Sequence, residues 1–186
     1  MKSNHGFTIV ELLVAVAILS ILLGVAAPSL RELIMNATIT GQANDLMSGL
    51  SVARSEAIKR GIRAGMCTST NGTSCTNSQW HQGWIVFADA DSDGDIDAGT
   101  SPLRVQPATT GNNTLTSLGH GTNGGGARFV VYNSAGTLTA ALVGVTFTLC
   151  DSRTTATVGA QAADLKGRQM SISSTGRPRI QRFTCP

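Results

Sequence analysis

Hydrophobic residues along this 186-residue chain follow two regimes that change near residue 60. Residues 7–30 (FTIVELLVAVAILSILLGVAAPSL) are apolar apart from Thr8, Glu11, Ser20 and Ser29. Twenty-odd residues at about 1.5 Å each cross the ~30 Å hydrocarbon core of a bilayer. Beyond Pro28 the apolar positions Leu30, Leu33, Ile34, Ala37, Leu46, Met47, Leu50, Ala53, Ala57 and Ile58 recur at steps suited to one helix face. The pattern predicts one long helix to about Arg60, membrane-embedded at first and amphipathic afterwards. A secretory signal peptide would also start apolar. Here the run is too long and lacks a small-x-small cleavage site after a short core.

After residue 61 the period changes to short β-type runs separated by turns. Candidate strands are 62–67, 83–91, 102–107 (bounded by prolines, hence an edge), 127–136, 142–150, 167–175 and 177–185. The last two flank Thr175-Gly176, a hairpin signal. "GHGTNGGG" (119–126) reads as a loop and matches no phosphate-binding spacing. The fold class is therefore α+β: a long helix against a small antiparallel β-domain. The expected divisions are 1–6, 7–30, 31–61 and 62–186.

Composition changes this picture only in compartment. Charged residues are 13% and aromatics 4% of the chain, with abundant Ser, Thr and Gly, which suits an exported surface domain better than a cytosolic enzyme. The four cysteines, Cys67, Cys75, Cys150 and Cys185, lack C-x-x-C spacing, so zinc is poorly supported and two disulfides are expected. Three pairings exist. Cys67–Cys75 would close a short polar loop and Cys150–Cys185 would tie two strand ends, and this pairing is favoured. Lys2 precedes the apolar span, which places the N-terminus on the cytoplasmic side and the β-domain in the periplasm.

The charge is unevenly placed. Asp89, Asp91, Asp93, Asp95 and Asp97 supply five of the eleven acids within nine residues. From residue 98 onward there are eight Lys/Arg against two Asp. "DADSDGDID" (89–97) resembles the start of an EF-hand loop, with Asp89, Asp91, Asp93 and Asp95 as calcium candidates. Its twelfth position, however, is Thr100 and its flank is a strand, so a solvated acidic turn stands beside calcium. Five carboxylates in one loop do not make an opposed acid–base pair. Trp80 and Trp84 read as core. His81 and His120 have no partner spacing, and no nucleophile or metalloprotease motif occurs, so no enzyme is expected. At "GRPR" (176–179), Arg177 and Arg179, with Arg182 and with Lys166 and Arg168 on the adjoining run, form a candidate phosphate-binding patch. Gly176 permits the turn and Pro178 stiffens it. The plainer reading is a basic edge strand that resists aggregation.

Several stretches carry a family resemblance. "GFTIVELL" resembles the type IV prepilin leader, which implies cleavage by prepilin peptidase after Gly6, N-methylation of Phe7 and a role for Glu11 in pairing with a neighbouring subunit's amine. "WHQGWIVFADADSDG", "FVVYNSAGTL", "TLCDSR" and "GRQMSISSTGRPR" resemble successive blocks of the FimT/GspH family of minor pilins and pseudopilins. That resemblance implies a long helix on a small two-sheet β-domain, with other pilin subunits and inner-membrane lipid as partners. "GRPR" is similar to the motif of DNA-binding FimT proteins used in natural transformation. The expected function is thus a minor pilin, first anchored in the inner membrane and then in a surface pilus, that binds DNA. The alternative is a structural pseudopilin of a type II secretion system.

Overall fold

The computed structural model describes residues 8–97, 99–118, 127–139, 144–152 and 166–185. One helix, α1 (Ile9–Arg60, 52 residues), opens the chain, which divides into two compact units, Met1–Ala37 and Thr38–Pro186.

In the first unit the helix is long and apolar enough to cross a membrane. Its described large apolar side chains, among them Ile9, Leu13, Leu19, Leu23 and Ile34, are exposed. Its hydroxyls turn back on the helix: Ser20 Oγ donates to the Ala17 carbonyl (2.8 Å) and Ser29 Oγ to that of Ala26 (2.9 Å). In hydrocarbon such local bonds remove the cost of an unpaired polar group.

In the second unit α1 buries Ile39, Ala43, Leu46, Leu50, Ala53 and Ala57. These alternate steps of four and three, one stripe down the helix. Leu30, Leu33, Ile34, Ala37 and Ile58 were expected on this stripe but are exposed. All but Ile58 precede Thr38, where α1 forms a unit of its own. Small residues on the stripe admit large partners: a Cβ on Gly49 would lie 2.6 Å from the Trp84 ring.

Two antiparallel sheets complete the unit. The strands are β1 (Arg63–Thr68), β2 (Gly83–Asp89), β3 (Arg104–Pro107), β4 (Thr114–Leu118), β5 (Phe129–Tyr132), β6 (Thr146–Cys150), β7 (Gly167–Ile172) and β8 (Pro178–Phe183). The first sheet runs β3-β2-β1-β5 and the second β4-β6-β7-β8. The proline-bounded β3 is an edge, as expected. The sequence reading missed β4, because of its inward residues only Leu115 is apolar; the other, Ser117, is buried by donating to the Ala127 carbonyl (2.7 Å).

The side chains of Met66, Trp84, Val130, Phe147, Leu149, Met170 and Ile172 join the helix stripe in one core. Trp80 lies in it too, its ring edge-on to Phe147 (4.9 Å) and its Nε1 donating to the Ala127 carbonyl (2.7 Å). Both tryptophans are thus core residues. A smaller cluster, Cys67, Ile85 and Phe87 with Cys75 and Ile96, covers the outer face of the first sheet. The disulfides are Cys67–Cys75 and Cys150–Cys185. The second spans from β6 to the residues after β8, and Gly167 of β7 leaves room for it, since a Cβ there would meet Cys185 Sγ.

Candidate functional site

The basic stretch forms the β7–β8 hairpin at the free edge of the second sheet. Gly176 N–H donates to the Ser173 carbonyl (2.8 Å) and Ser173 N–H to that of Arg177 (3.1 Å). Gly176 takes φ 76°, a conformation that favours glycine. It is also buried, and a Cβ there would strike the Gly136 carbonyl. Gly176 therefore shapes the turn rather than offering a contact.

The turn is held from below by a residue that sequence reasoning missed. Arg54 on α1 donates from Nε to the Gly136 carbonyl (2.8 Å) and from Nη2 to that of Thr175 (3.3 Å). An arginine within the mostly small-residue helix stretch SVARSEA was the only available signal. Tyr132 packs beside Gly176, and burial pushes its phenol well above its ordinary value, with the charge of Arg54 acting the other way.

The register of β7 with β8 sorts the cations. Arg179 pairs with exposed Ser171, and Arg182 pairs with Arg168. Side chains alternate between faces, so Arg179 and Arg182 lie on opposite faces. Arg177, two residues before Arg179, lies at the turn. All three are exposed, and their guanidinium groups have no hydrogen bond or ion pair among the described residues. Several other cations among the described residues of this unit are engaged: Lys59 and Arg60 with Glu56, Arg63 with the Ser92 carbonyl, and Arg104 with Asp45 and Ser48. Arg168 does not extend the patch as expected. Its Nη2 donates to Thr40 Oγ1 on α1 (3.1 Å), and its Nη1 to the Gly167 carbonyl, because its strand position faces the helix. Lys166 lies at the start of β7, half-buried and with an interaction of its own.

The acidic segment is folded differently from an EF-hand. Oxygens of Asp89, Asp91 and Asp97 come within 4.8 Å of one another. Asp93 and Asp95 lie outside this group, Asp95 instead approaching the Cys67–Cys75 disulfide. Asp93 accepts the Asp95 N–H (2.8 Å). The expected set of Asp89, Asp91, Asp93 and Asp95 is thereby revised, because Ile96 seats the loop on Ile85 and Phe87 and carries Asp97 back to the strand end. The Asp93 N–H lowers the Asp91 carboxyl, but desolvation and the charges of Asp93 and Asp97 raise it above the ordinary value.

Gly6, Phe7 and the 119–126 loop lie outside the described residues. Glu11 is described, and it has an intrachain role that the sequence reading did not include. Its Oε2 accepts from Thr8 N–H (3.1 Å) and Thr8 Oγ1 (3.0 Å), while its own N–H donates to Thr8 Oγ1 (3.2 Å). This is a capping box at the helix start.

Residues 1–27 match the prokaryotic N-terminal methylation motif. Residues 42–176 match the family of the type II transport protein GspH, a match that ends just before the arginines. Comparison with curated protein sequences gives no significant match. Among solved structures, the type IV minor pilin FimU of Pseudomonas aeruginosa is similar at 20% identity and a TM-score of 0.52, over 77% of this chain and 87% of that one. The minor pseudopilin EpsH of the Vibrio cholerae type 2 secretion system is similar at 12% identity and a TM-score of 0.50, over 78% of this chain and 97% of that one. One long helix on two antiparallel sheets is thus the fold shared with both, and the chain belongs to the GspH family of minor type IV pilins and pseudopilins.

Proposed function

We propose that this chain is a minor pilin that is cut after Gly6, methylated on Phe7 and carried from the inner membrane into a pilus, where its β7–β8 hairpin captures DNA. The role is non-catalytic. One observation supports it above others: Arg177 and Arg179 stand exposed on a pinned hairpin at a sheet edge, their guanidinium groups without a protein partner among the described residues. Guanidinium groups bind phosphate bidentately, and phosphate contacts carry no sequence preference. Because Arg168 is engaged with α1 and Arg182 faces the other way, two or three phosphates are within reach. The log of affinity should fall against log salt with a slope of about −2 to −3, near −0.9 per contact.

The test is fluorescence anisotropy of duplex DNA with full-length protein in detergent. Arg177→Ala and Arg179→Ala should each weaken binding to all sequences alike and flatten the slope by about one unit. Lysine at both positions should restore part of the affinity. A double alanine variant that binds like wild type would move the pseudopilin reading ahead, which the description of the matched family favours.

Assembly has its own test. Glu11→Gln keeps an acceptor for the Thr8 N–H but removes the charge. It should enter the membrane normally yet be poorly incorporated into filaments. Normal incorporation of the glutamine variant would limit Glu11 to its capping role.

A further inference from the structure

We propose that Asp89, Asp91 and Asp97 form a calcium site that fastens the 90–97 segment to the outer face of the first sheet. Asp89 ends β2 on the same face as Ile85 and Phe87 and is fully buried. Neither of its carboxylate oxygens has a hydrogen-bond partner among the described residues. The cation nearest in register does not neutralise it: Arg63, opposite Asp89 on β1, sends Nη1 to the Ser92 carbonyl (2.9 Å).

The other two carboxylates are each held by one oxygen. Asp97 Oδ2 accepts the Ala90 N–H (3.1 Å), which leaves a buried Oδ1 without a partner among the described residues. Asp91 Oδ1 accepts the Asp93 N–H (3.3 Å). Three carboxylates thus converge within 4.8 Å, and both oxygens of Asp89 and Oδ1 of Asp97 are buried without a partner among the described residues.

A buried carboxylate without a partner costs several kcal/mol. Protonation of Asp89 would remove the charge, but its second oxygen and its new O–H would still need partners. A divalent cation satisfies all three groups together. The donors are hard oxygens on a surface loop, with backbone carbonyls and water to complete the shell. Calcium accepts six to eight such ligands in flexible geometry, whereas magnesium demands a near-ideal octahedron. An affinity of about 10⁻⁴–10⁻³ M, in the range of extracellular modules, is expected.

The experiment is thermal unfolding of chelator-treated full-length protein in detergent, titrated with calcium chloride or magnesium chloride. Calcium at ten times its Kd should raise Tm by about 3–6 °C, and magnesium by much less. Asp89→Asn removes an uncompensated buried charge, so it should melt at or above wild type in chelator and lose the calcium response. Asp97→Asn, which keeps an acceptor for the Ala90 N–H, should lose that response too. Asp93→Asn and Asp95→Asn should respond like wild type. A wild-type Tm indifferent to about 10 mM calcium, well above that affinity range, overturns the proposal. So does an equal response to magnesium, or an equal loss in Asp93→Asn, since each would indicate diffuse screening of acidic charge.

Discussion

The acidic loop after β2 and the basic β7–β8 hairpin are the two charge concentrations of the globular unit, and the fold treats them in opposite ways. The loop turns back onto its sheet. Ile96 seats on Ile85 and Phe87, and in doing so buries Asp89 wholly and Asp97 in part. The hairpin extends its sheet edge and leaves Arg177, Arg179 and Arg182 in solvent. Buried like charge needs a compensating ion, whereas exposed like charge costs little and remains free to bind. A disulfide accompanies each region: Cys67–Cys75 beside the loop, Cys150–Cys185 beside the hairpin.

These disulfides give the largest expected difference between the two regions. They close loops of 8 and 35 residues. Chain entropy then assigns about 2.5 kcal/mol to the first and about 4 kcal/mol to the second. Replacing each pair by serine and measuring urea unfolding should reproduce that order. Equal losses would show that strain or denatured-state structure, not loop length, governs both.

Arg54→Ala comes next. It removes two charge-assisted bonds to carbonyls, for a loss of about 2–3 kcal/mol. DNA affinity should also fall, because the turn that presents Arg177 loses its tether, while the calcium response of the loop should be unchanged. Unaltered stability would mean that the hairpin holds itself.

The smallest effect is reserved for Arg182→Ala. Surface substitutions of this kind change stability by no more than about 0.5 kcal/mol. Since Arg182 lies on the opposite face from Arg179, the salt slope for DNA should flatten by less than it does in Arg179→Ala. An equal or larger change would mean that DNA wraps the strand edge rather than lying on one face.

Much of this organisation is a property of local pattern. An uninterrupted apolar run, a three-and-four step and a period of two each follow from helix and strand geometry. The span, the helix to Arg60, most strands and the edge position of β3 could therefore be read without coordinates. The Thr8–Glu11 box was equally local. The sequence alone also concentrated acid in residues 89–97 and base beyond Asp164.

Other features depended on contacts between distant segments. Leu33 and Ile39 are equally apolar, yet only Ile39 is covered, because coverage depends on which part of the helix meets the sheets. Ser117 points inward because the Ala127 carbonyl awaits it, which no propensity encodes. The register of β7 with β8 separated Arg179 from Arg182, and α1 engaged Arg168 through Thr40. Packing of Ile96 replaced Asp93 and Asp95 by Asp97 at the acidic centre. Sequence spacing names the charged residues, but burial and register, set by the rest of the fold, decide which of them meet.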